Sequence, residues 1–148
     1  MPRLTRFGIG IGDWKRNADG SWETFQQHRE RFVQCRQELR GKNATEEFLR
    51  ALAFIQRVKP ITRINSSSGS YKLKHIAEDY RSQYPNGEKL GPYYVSNGAL
   101  IAAAFHAGFT VREYPGDLNT CFNMSKRSID DLDCEIRPHI IGNKQKRA

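Results

Sequence analysis

Between residues 57 and 74 the chain sets five cations, Arg57, Lys59, Arg63, Lys72 and Lys74, among four serines, Ser66, Ser67, Ser68 and Ser70. Cations beside hydroxyls, running into a predicted helix start, have the chemistry of a phosphate site. Free N–H groups and the helix dipole attract anions there, and such contacts position a nucleic-acid backbone without reading its bases. Arg112, in a predicted hairpin, and Arg29, Arg36 and Arg40, on a predicted helix, extend the candidate track. The low-complexity stretch 60–70 reads in two ways, as a flexible linker or as an ordered loop meeting phosphates, and Ser70 reads as the N-cap of the helix that follows.

Other constellations are thinner. His75 with Glu78 or Asp79 shares one side of that helix and has the spacing of an acid–base pair, which is also the spacing of an ordinary surface ion pair. Cys121 with His106 or His139 pairs a thiol with a base, but Cys121 falls in a predicted strand, with no helix N-terminus to lower its pKa. His106, alone on an apolar helix, reads as a core histidine, and His28 as a surface residue. The Gly8-x-Gly10-x-Gly12 run has no preceding strand and no following Lys-Ser/Thr, so it is not a nucleotide fingerprint. Cys35, Cys121 and Cys134 are odd in number and form no Cys-x-x-Cys pair, which argues for reduced thiols. We assign no catalytic residue, metal or cofactor.

The elements that must position these groups follow from periodicity. Residues 1–20 read as an arm or a short edge strand weakened by glycines. A first helix is predicted from an N-cap at Ser21 to Arg40, burying Trp22, Phe25, Phe32, Val33 and Leu39. A second starts at a cap on Asn43 or Thr45, buries Phe48, Leu49, Leu52, Ile55 and Val58, and stops at Pro60. The third, 71–81, points Leu73, Ile76, Ala77 and Tyr80 inward and Lys72, Lys74, His75 and Asp79 outward. After a turn-rich loop comes the most apolar segment: Tyr93-Tyr94-Val95, then Ser96 capping a helix over 97–107 that is apolar on nearly all sides and so central to the core. From Phe109 the period becomes two, which predicts a β-hairpin to Met124. Ser125 or Ser128 then caps a last short helix ended by Pro138. The exposed parts of Trp14, Trp22, Tyr84, Tyr93 and Tyr94 read either as an interface or as the completion of the core.

The fold class is thus α+β and mainly helical: an N-terminal helical hairpin, then helix, loop, helix and β-hairpin in winged-helix-like order, and a C-terminal helix. At 148 residues the chain suits one domain, divisible into a basic hairpin with its arm (1–60), an α+β module (61–138) and a disordered basic tail (139–148). Literal major-groove readout is disfavoured, because the loop between the two helices is long and the would-be recognition helix lacks base-reading side chains.

The formal charge of +8 is unevenly held: 16 Lys/Arg face 9 Asp/Glu in the first 81 residues, and 8 face 7 in the remainder. Such an excess suits an anionic partner and excludes a DNA mimic, which must be acidic. No apolar run reaches a membrane span and the N-terminus has no signal-peptide core, so a cytoplasmic protein with no membrane partner is expected.

The stretches Ser70-Tyr71-Lys72-Leu73-Lys74-His75, Ser96-Asn97-Gly98-Ala99-Leu100-Ile101-Ala102-Ala103-Ala104 and Ala107-Gly108-Phe109 resemble a group of short, largely uncharacterised proteins of bacterial plasmids, integrative elements and prophages, over roughly residues 62–125. The resemblance implies a mobile-element context. The expected function is a non-enzymatic accessory or regulatory protein that binds the phosphate backbone of DNA or RNA. The alternative is an inhibitor of a host defence complex, of the anti-CRISPR or anti-restriction kind, that seizes a protein or ribonucleoprotein. A small enzyme built on the His75 pair is third.

Overall fold

In the computed structural model, which describes residues 1–140, the glycine-rich start of the chain folds into a clasp. Leu4–Thr5 (β1) and Gly8–Ile9 (β2) pair antiparallel and bury Leu4, Thr5 and Ile9. Gly8 has φ +124°, and a Cβ there would stand 2.1 Å from the Leu118 carbonyl oxygen, so only glycine lets the clasp close on that loop.

The first helix, Phe25–Gln37 (α1), is capped three residues later than its periodicity predicts. Ser21 is taken by a local turn, its N–H and hydroxyl both donating to Asp19 (2.9 and 2.6 Å). Thr24 caps instead, in a reciprocal box: its hydroxyl accepts from the Gln27 N–H and the Gln27 side chain accepts from the Thr24 N–H. The predicted apolar face fails as well. Phe25 is 85% exposed and Trp22 and Val33 are exposed, whereas Cys35 is the one buried residue of α1. A 3-10 turn, Glu38–Arg40, leads into Lys42–Ile55 (α2), where Gly41 holds the cap position without a side-chain bond. Ala44, Ala51, Phe54 and Ile55 form its buried stripe, and Arg50 is buried with them.

Neither reading of the serine-rich stretch survives: Pro60–Gly69 is a strand (β3), not a linker or a loop. It pairs antiparallel with Thr120–Met124 (β5), in a register interrupted twice by irregularities, and β5 pairs on its other side with Val111–Glu113 (β4). The sheet order is therefore β3-β5-β4. Between these strands lie Ser70–Asp79 (α3) and Asn97–His106 (α4), and Lys126–Ile136 (α5) follows the sheet. The hairpin, the Ser96 cap on the Ala99 N–H (3.1 Å) and the central position of α4 match expectation.

One apolar core joins the clasp, α2, α3, α4, α5 and the inner face of the sheet. Phe54, Ile55, Leu73, Ile76, Leu100, Ile101, Phe122 and Ile129 are essentially inaccessible in it. Each such burial contributes about 1.5–3 kcal/mol. Among the described residues no helix is long and apolar enough to cross a membrane. Of the tail predicted over 139–148, residues 139 and 140 are helical rather than disordered, and the rest lies outside the described residues.

Candidate nucleic-acid interface

The structure divides the predicted cations into three kinds. Some serve the fold. Lys74, expected outward, is 7% exposed: its Nζ donates to Glu78 (2.6 Å) and to the Val95 carbonyl (3.0 Å). Arg36 spends its guanidinium on the carbonyls of Met1, Pro2 and Leu4, tying α1 to the clasp. Ser70 is fully buried. It is the first residue of α3 rather than its cap, which is Gly69, and its hydroxyl accepts from the Thr120 N–H (3.1 Å). Ser68 is buried too, with a hydroxyl lacking any partner among the described residues. None of these four is placed to meet a phosphate.

A second kind is exposed but paired. Arg57 grips Glu135 with both ends of its fork, at 2.5 and 2.9 Å. The pairing raises the guanidinium pKa and pulls the Glu135 carboxyl below its usual range, each chiefly through the other partner. Lys72 stands 3.9 Å from Asp130, which Lys126 holds more closely at 2.6 Å.

The third kind is uncommitted: Lys59, Arg63, Arg112, Arg29 and Arg40 are exposed and have no carboxylate partner among the described residues. Lys59 leads into β3 beside the start of α5. Its N–H donates to the Ser128 hydroxyl (3.0 Å) and its carbonyl accepts from the Ser125 N–H (2.8 Å). A cleft of about 480 Å³ opens there, lined by Lys59, Arg127, Ser125 and Ser128, with Arg57, Asp131 and Glu135 on its wall. Arg63 lies further along β3, next to Ser66 and Ser67, the latter closing a turn onto Asn65. Arg112 sits on β4 over the Tyr114 ring, 5.5 Å from its centre. Arg29 and Arg40 belong to a different layer, in which α1 and the 3-10 turn pack chiefly on β1 and α2, so the predicted single track is not continuous.

Sequence reasoning missed Lys126 and Arg127. Their signal was position: two cations in the first turn after the Ser125 cap, where the helix dipole disfavours positive charge.

The thinner constellations resolve differently. His75 Nδ1 is 3.1 Å from Glu78, as its spacing suggests, but Glu78 also receives Lys74 and the Val95 N–H (3.4 Å), and His75 packs edge-on to Tyr71. His106 is not a core residue: it is exposed at the end of α4, against the edge of Phe48. His28, expected on the surface, is half-buried between Glu23 (2.7 Å) and the Trp14 ring stacked on it at 4.0 Å. Cys35, Cys121 and Cys134 are free thiols, and burial pushes Cys35 up. Among the described residues no group of His, Cys, Asp or Glu has the arrangement of a metal site.

A second cleft, of about 500 Å³, lies on another face, lined by Arg6, Lys42, Arg50, Tyr93, Tyr94 and the carboxylates Glu38, Glu46 and Glu47. Arg50 Nε donates to the Leu90 carbonyl (2.8 Å) and Nη1 to that of Tyr94 (3.1 Å), which pins the 90–94 segment over α2. Tyr94 and Glu38 beside Arg6 raise its pKa.

No protein-family model, curated protein or solved structure matches the chain.

Proposed function

We propose that this chain is a non-enzymatic nucleic-acid-binding accessory protein that contacts phosphates through the cationic rim at the start of α5. One observation carries the reading. Lys59, just before β3, and Arg127, in the first turn of α5, share a cleft with two serine hydroxyls at a helix N-terminus and have no carboxylate partner among the described residues. Exposed cations left unpaired beside N–H donors are what a phosphate backbone engages. Lys72, Lys126 and Arg63 extend that rim, and Arg112 borders the far edge of the same sheet.

The order α3, α4, β4, β5, with β3 joined to the hairpin, supports a winged-helix-like plan in which the usual reader is absent. Seven of the ten residues of α4 are buried and β1 crosses its first turn, so α4 has no face for base edges. Binding is therefore backbone-directed and tolerant of sequence. The resemblance to mobile-element proteins suits such a role.

The test is a salt titration of binding to random duplex DNA, single-stranded DNA and RNA. Affinity falls linearly with salt on logarithmic axes, and Lys59→Ala with Arg127→Ala flattens the slope by about one per residue. Absence of binding at about 50 mM salt overturns the reading and favours the protein-partner alternative, in which the same rim meets an acidic protein surface.

A further inference from the structure

Three tyrosines stand in the open, and each has a cation against its ring. Tyr71 is 56%, Tyr93 69% and Tyr94 45% exposed. The buried Lys74 ammonium lies between two of them, 5.8 Å from the centre of the Tyr71 ring and 4.7 Å from that of Tyr94. The Arg50 guanidinium, also buried, backs the third at 5.0 Å from the Tyr93 ring. Lys74 and Arg50 are held by protein carbonyls and carboxylates, so they brace the rings from their buried side.

A group of large exposed rings marks an interaction surface. What covers this one follows from what surrounds it. Lys42, exposed on the rim of the cleft, has no carboxylate partner among the described residues, and Lys72 follows Tyr71 at the start of α3. The carboxylates in the cleft are engaged from within: Glu38 by Arg6 (3.2 Å), Glu46 by Arg50 (3.5 Å), and Glu47 by the Ser96 N–H (2.8 Å). Flat π-faces bordered by the unpaired Lys42, and by Arg6 and Lys72 in exposed ion pairs that a phosphate can replace, match a ligand whose flat groups are joined by phosphates. In a duplex those flat groups are stacked on one another and unavailable, whereas in a single strand they are free.

We infer that Tyr71, Tyr94 and Tyr93 form a stacking platform for the bases of single-stranded nucleic acid, with Lys42, Arg6 and Lys72 beside its phosphates. This deepens the phosphate-binding reading and rests on it. It adds a preference for unpaired strands that the rim at α5 does not itself supply. Lys72, next in sequence to Tyr71 and near Lys126, links the two surfaces.

The experiment uses the full chain, fluorescence anisotropy with labelled oligothymidylate of twenty nucleotides, and a labelled random duplex of equal length. Tyr71→Ala with Tyr93→Ala is expected to weaken single-strand binding about tenfold or more while leaving duplex binding within about twofold. The matching pair of Tyr→Phe changes keeps the rings and retains single-strand affinity. Identical thermal melting of the alanine and phenylalanine variants separates a lost platform from a lost fold. Unchanged single-strand affinity in the alanine variant, or equal losses on both probes, overturns the platform while leaving the α5 rim standing. No binding of the unaltered chain to either probe overturns both.

Discussion

The two helices α1 and α4 are held in place by different forces. Along α1 only Cys35 is buried, and the helix is fastened by directed polar contacts: Arg31 to Glu23 (2.5 Å), His28 to Glu23 (2.7 Å), and Arg36 to three carbonyls of the first residues. Along α4 seven residues are buried, and the helix is fastened by packing from α2, α3 and the clasp. The difference teaches where this chain keeps its charge. Cations accumulate where apolar burial is thin, and there they act as ties as well as surface charge. Packing tolerates acid and salt, whereas directed ion pairs respond to both.

That contrast can be broken most sharply in the core. Phe54→Ala, at a fully buried site of α2, is expected to cost about 3–5 kcal/mol in chemical denaturation; a loss below about 1 kcal/mol would show that α2 and α4 are not the principal packing unit. Next in size is Gly98→Ala. A Cβ there falls 1.8 Å from the Thr5 carbonyl oxygen, a backbone atom with little room to yield. The expected destabilisation is about 1–3 kcal/mol, by analogy with overpacked cores, and a variant truncated before residue 11 should relieve the clash. Melting curves of the two together check this.

Smaller and confined to the polar layer is an acid transition at Glu23. Arg31 chiefly, opposed by desolvation and assisted by His28, holds its carboxyl at about 2, against an ordinary value of 4.5. A carboxyl depressed in the folded state stabilises it above the ordinary value, and that contribution drains away as pH falls from about 4.5 through 2. Trp14, stacked on His28, reports the loosening. Its fluorescence is expected to change across this window, and Glu23→Gln should abolish the change; a tryptophan signal that moves only with global unfolding would deny α1 its separate tether. The smallest effect belongs to Phe25→Ala, on a ring 85% exposed. It is expected to shift stability by less than about 0.5 kcal/mol, against the loss at Phe54 for the same chemical change.

Legibility in the sequence followed the same division. The apolar run of α4, its Ser96 cap and the period-two hairpin were readable because local pattern and final environment agree. β3 was not, because Pro60, Asn65, Gly69 and three serines carry little strand preference of their own. Pairing with β5, more than fifty residues away, makes that stretch a strand. Lys74 was misread for a related reason: helical spacing places it outward from α3, but Val95 and Tyr94 close over it from a loop whose path no periodicity predicts. The stacking surface was half legible. Tyr93 and Tyr94 stood out as aromatic and left open between core and interface, whereas Tyr71 became their neighbour only through the ammonium between them.

The clasp has a consequence in time. The N–H of Ile9 donates to the Leu118 carbonyl (2.9 Å), and Asn97 reaches back to the Phe7 carbonyl (2.9 Å). The clasp segment is therefore among the last to find its place, since these partners are made about a hundred residues after it. Until then Leu4, Ile9 and Ile11 lack those partners, and the core cannot be sealed.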